Sequence, residues 1–122
     1  MESGTDTDTL FVIVIKSKTL VWIARLKTPN ADAFAINPFI VHNGKLTPEL
    51  LRHEKIHIVQ QKELGLYEFT KLYWKFDKEY GYALNPFEVE AYGNQHKEDY
   101  LKTREKFAWK KYVKTSTDKK NT

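Results

Sequence analysis

Residues 53–57 read His-Glu-Lys-Ile-His, two imidazoles four positions apart with a carboxylic acid directly after the first. On a helix, residues four apart stand one above the other. His53 and His57 can therefore offer two nitrogens to one divalent ion while Glu54 projects beside it. That is a donor pattern for metal-assisted hydrolysis, with two neutral ligands for a Lewis acid and an acid/base group next to them. Such a run arises in roughly one shuffled sequence in a hundred, so its surroundings decide how much weight it bears.

Those surroundings read as one helix. Thr47-Pro48-Glu49 supplies an N-cap, a proline at the first helical position and an acid in the first turn, and Gly65 stands where a helix would stop. The expected helix runs from Pro48 to Leu64, with the motif in its middle.

Two imidazoles do not complete a zinc site, because a catalytic site has three protein ligands and keeps a fourth position for water. The chain has no cysteine, which excludes thiolate zinc sites, disulfides and cysteine nucleophiles. The third ligand must be His42, His96 or a carboxylate. Glu88 is favoured, since it lies some thirty residues downstream at the start of another helix, far enough for the intervening helix to fold the chain back. Asn85-Pro86-Phe87-Glu88 also fits a capping box, which would account for Glu88 without any metal. Glu90 is the fallback ligand and faces the opposite side of an ideal helix from Glu88. His42, beside Asn43-Gly44, reads as a turn residue.

His53-Glu-Lys-Ile-His57 followed by Glu88-Val-Glu-Ala91 resembles the gluzincins, the thermolysin-like clan of zinc peptidases. The string Asn85-Pro-Phe-Glu-Val-Glu-Ala-Tyr92 is similar to small bacterial and phage proteins thought to be minimal peptidases of this type. The likeness covers residues 33–92, about half of the chain. It implies a zincin-like fold, one zinc ion held by His53, His57 and Glu88, and Glu54 as the catalytic acid/base. In such a site zinc acidifies a water and polarises the scissile carbonyl of a peptide or protein substrate, while Glu54 takes the water proton and passes it to the leaving amine. Many gluzincins carry Asp four residues after the ligand Glu, where it orients a ligand His, and this chain has Tyr92. Tyr92 or Gln61 is then expected as the outer partner. If the helix starting at Pro86 continues past Gly93, Tyr92 and His96 share the stripe of Glu88, and either could donate to the oxyanion.

Strands precede the helices. Leu10–Ile15 is β-branched and aromatic, and Thr19–Ala24 is read as a second strand, although Leu20, Ile23 and Ala24 also fit a helical face. Ala33–Ile36 and Phe39–Val41 are extended pieces divided by Asn37-Pro38. After the motif helix, apolar residues spaced by three and four predict a helix over Tyr67–Tyr80, stopped by Gly81, with Tyr67, Tyr73, Trp74, Phe76 and Tyr80 as core aromatics. A last helical segment is expected from Asp99 to about Tyr112. The sum is α+β, a small N-terminal sheet on three or four helices. One domain, residues 10–112, is expected between a disordered start (1–9) and a basic flexible tail (113–122).

The net charge is +4. The excess sits at the C-terminal end, which reads as a solvated helix face and frayed tail, with no recognisable nucleic-acid module. No apolar run reaches the roughly 20 residues that span a bilayer, and no signal peptide is seen, so a cytoplasmic place is the default expectation. Two rivals stand beside the peptidase reading. One is a non-catalytic, zinc-stabilised structural or protein-binding module, which would have no use for Glu54. The other is a basic binding domain, which rests on the charged end alone.

Overall fold

The computed structural model describes residues 10–113. The expectations for residues 1–9 and for the tail from 114 onward lie outside the described residues. Within them the chain is α+β, with elements in the order β1 (Ile13–Lys16), α1 (Lys18–Ala24), β2 (Ala33–Ile36), β3 (Phe39–His42), α2 (Pro48–Leu64), α3 (Leu66–Tyr80), α4 (Pro86–Asn94) and α5 (Tyr100–Thr103). Short 3-10 turns cover Tyr82–Leu84 and Ala108–Tyr112.

The sheet order is β1-β3-β2, with β1 parallel and β2 antiparallel to β3. Asn37-Pro38, a cis peptide, makes the turn between β2 and β3. The Thr19–Ala24 segment is a helix, not a strand. Ser17 decides this by accepting the Leu20 N–H at 3.1 Å as an N-cap, and α1 then buries Val21. A helix between β1 and the hairpin lets β1 return parallel to β3, which a tight turn could not do.

Helix α2 has the expected bounds. Thr47 Oγ1 accepts from Leu50 N at 3.0 Å, Pro48 needs no donor partner at the first position, and Gly65 takes φ +83°, a value that an L side chain resists. Gly81 repeats that geometry and stops α3. Asn85 caps α4 by accepting from Phe87 N at 3.0 Å. Helix α2 is the central element and packs on β2, α3 and α4. Ile56 and Val59 meet Ala91 and Leu101 on one side, while Phe69, Phe76, Phe87 and Trp109 form an aromatic cluster on the other. Ala91 matters for the site, because a small residue at the α2–α4 contact lets the two backbones approach closely.

The segment 99–112 is not one helix. Only Tyr100–Thr103 is α-helical, Arg104 is extended, and Phe107 adopts the left-handed φ of 57° before the 3-10 turn. The break follows from Arg104, whose buried guanidinium turns inward to Glu63 and Glu90, while Phe107 N donates to Glu63 Oε2 at 2.6 Å. Tyr67 and Trp74 are not core residues either, being 76% and 58% exposed. Phe76 is buried as expected.

Candidate metal centre

Two helices build the centre. His53 and His57 stand one turn apart on α2, and Glu88 comes from the first turn of α4. The three side chains are buried and form a triangle: His53 Nε2 to His57 Nε2, His53 Nε2 to Glu88 Oε1, and His57 Nε2 to Glu88 Oε1 are each 3.2 Å. With bonds of about 2.0–2.1 Å, a tetrahedral ion keeps its ligands about 3.3–3.4 Å apart, so these donors lie close to the spacing of one tetrahedral face. Two imidazoles and a carboxylate also suit zinc better than the hard, oxygen-bound cations. The donor set therefore fits a zinc-sized ion, and it is the group of that kind found among the described residues.

Both imidazoles are held from behind by glutamines. His53 Nδ1 meets Gln95 Oε1 at 2.8 Å, and His57 Nδ1 meets Gln60 Oε1 at 2.7 Å. The Gln60 amide cannot be reversed without loss, because its Nε2 donates to Phe87 O at 3.1 Å and to Glu90 Oε1 at 2.9 Å. Its Oε1 must then face His57 and accept, which places the proton on Nδ1 and leaves Nε2 for the triangle. Tyr92 and Gln61 do not play this part. Gln61 instead ties α2 to the hairpin, donating to Ala35 O at 2.9 Å and accepting from Asn37 N at 2.6 Å. Gln60 was open to discovery in the sequence, since it lies three residues from His57 on the same helix. Gln95, beyond the end of α4, carried no such signal.

Glu88 does not close a capping box. The Asn85 N–H donates to Tyr82 O, while the Glu88 carboxylate faces the imidazoles and accepts from Tyr73 Oη at 2.5 Å. Burial works against its charge, but the two imidazoles outweigh burial and hold Glu88 well below the usual carboxylate range. Burial likewise disfavours charge on His57, yet Glu88 beside it raises the imidazole to about 9. Glu90, the fallback ligand, points to the other side of α4, where it accepts from Gln60, Tyr100 and Arg104. His42 ends β3 and accepts from Gly44 N at 3.1 Å, as a turn residue should.

Glu54 is buried and lines a cleft of about 1210 Å³ together with His53, His57 and Glu88. Burial raises its proton affinity, His57 and His53 pull it down, and Glu88 pushes it up, with a net upward shift. Tyr92 also lines the cleft, its ring 4.4 Å from that of His53 and its hydroxyl 2.8 Å from the hydroxyl of Tyr82. Tyr82, unforeseen in the sequence, is kept protonated by burial and by the charge of Glu88. His96 is not brought to the site: α4 ends at Asn94, which cuts the expected stripe, and His96 lies exposed in the following turn.

No family model, curated protein or solved structure matches this chain. The chemistry of the cleft carries the functional reading.

Proposed function

We propose that this protein is a zinc-dependent peptide-bond hydrolase in which His53, His57 and Glu88 hold the metal and Glu54 is the acid/base. The observation that carries the reading is the buried triangle with 3.2 Å edges opening onto a cleft that Glu54 also lines. Bound zinc would polarise the scissile carbonyl and acidify a water molecule. Glu54, buried on the same cleft beside the three donors, would take the proton of the attacking water and return it to the leaving amine. Gln60 and Gln95 keep the two imidazoles in the tautomer that turns Nε2 to the metal. Tyr73 steadies the second oxygen of Glu88, so that Oε1 is left as the donor. The Tyr92 hydroxyl, hydrogen-bonded to Tyr82 within the cleft, is the donor offered to the oxyanion.

Glu54 also speaks against a purely structural zinc site, which needs no acid there. The test is a pair of substitutions. Glu54→Gln is expected to retain stoichiometric zinc and to lose peptide hydrolysis by about 100-fold or more, the scale of a missing general base. Glu88→Gln is expected to weaken zinc binding itself. Full hydrolysis by Glu54→Gln would remove the proposal.

A further inference from the structure

The three lysines of α3, Lys71, Lys75 and Lys78, lie at steps of four and three along one exposed stripe, opposite the core-packed Phe69 and Phe76, and border the outer rim of the cleft. Between them stands the exposed Trp74, and from the opposite wall, in the loop between α1 and β2, Lys27 Nζ reaches to 3.8 Å from its ring centroid. The acids of α3 are distributed otherwise. Glu68 and Glu79 do not line the cleft, and Asp77, which does, lies 3.4 Å from Asn85 Nδ2. The other acid on the rim, Asp32, is held by Arg25 at 3.0 Å and by Asn43 at 2.9 Å. Among the described residues none of the four lysines forms an ion pair.

The cleft therefore has a cationic, aromatic mouth above a floor that carries Glu54 and Glu88. Four ammonium groups stand on this rim against Asp77, Asp32 being paired with Arg25, so the rim keeps a net positive charge and favours an anionic occupant. A nucleic acid is a poor fit, because its phosphates would follow the backbone down to the two carboxylates. A peptide separates the two needs: its uncharged backbone passes the floor while its side-chain carboxylates reach the lysines at the rim. We propose that the cleft receives an acidic peptide segment, with Lys27, Lys71, Lys75 and Lys78 selecting Asp or Glu side chains that flank the bond at the metal centre. This names the substrate class of the hydrolase reading and rests on that reading.

The test is binding of labelled peptides, alike in length and centre but flanked by Glu, Gln or Lys, to zinc-loaded Glu54→Gln protein and to metal-free wild type, followed by fluorescence anisotropy. The acidic peptide is expected to bind about tenfold or more tightly than the basic one, with the difference shrinking as salt rises. Lys71→Glu/Lys75→Glu/Lys78→Glu, on an exposed stripe, is expected to reverse the order. Hydrolysis of the same peptides by wild type separates the two ideas. Acidic preference in binding with no cleavage of any peptide upholds the cleft and removes the hydrolase. Equal binding and cleavage of all three overturns the acidic preference and leaves the hydrolase in place. Tighter binding of a single-stranded oligonucleotide than of the acidic peptide overturns the choice of partner.

Discussion

Glu90 sets the proton of His57 through one intervening amide: Glu90 Oε1 accepts from Gln60 Nε2 at 2.9 Å, and Gln60 Oε1 accepts from His57 Nδ1 at 2.7 Å. The fully buried Glu90 is itself fixed by Arg104 and Tyr100, so the relay has little freedom. Gln60→Leu keeps the volume of the side chain and removes both bonds together with the one to Phe87 O. The expected result is zinc affinity reduced by about 10–100-fold in chelator competition, the usual cost of losing the outer partner of a ligand His. Unchanged affinity would show that the tautomer is set by the metal alone.

A metal bound by His57 would compete with a proton there. In the metal-free protein the charged His57–Glu88 pair adds stability that is complete below the ordinary imidazole value of 6.5 and lost as pH rises through about 9. Glu88, held below its ordinary 4.5, gives the mirror case, with stability present above that value and lost as pH falls below it. The thermal midpoint of metal-free protein should therefore decline between pH 6.5 and 9, while zinc affinity climbs by about tenfold per pH unit over the same interval. Calorimetry and competition titrations across that range check both slopes, and affinity flat with pH would contradict the pairing.

Arg104 joins two carboxylates at the back of α2, bidentate to Glu63 at 2.8 and 3.0 Å and bonded to Glu90 through Nε. Arg104→Met leaves two buried or nearly buried acids without their counter-charge. Loss of about 3–5 kcal/mol is expected by urea unfolding, because breaking a buried pair costs far more than the pair gains. Zinc affinity should fall as well, since Glu90 would no longer hold Gln60 in place.

The site was legible where residue type and helical spacing coincide. His53 and His57 are four apart, Thr47-Pro48 and Asn85-Pro86 open their helices, and Glu88 occupies the first turn of the second. What the spacing could not show is how α4 crosses α2, which Ala91 permits by packing on Ile56 and Val59. Glutamine carries no motif, so Gln95 was invisible, and Tyr73 looked like one more aromatic in an amphipathic helix. Thr19–Ala24 was misread because its apolar residues satisfy both periods and the hydroxyl of Ser17 settles the choice. The 99–112 stretch was misread because the inward turn of Arg104 depends on two acids that are distant in sequence.

The central claim is that three side chains from α2 and α4 hold one metal ion. Anomalous diffraction at the zinc edge, on crystals of protein purified without added chelator, tests it most directly. The account predicts one strong peak within about 2.0–2.2 Å of His53 Nε2, His57 Nε2 and Glu88 Oε1. No peak there after zinc is supplied, with Glu88 bonded to a protonated His57 alone, would contradict it.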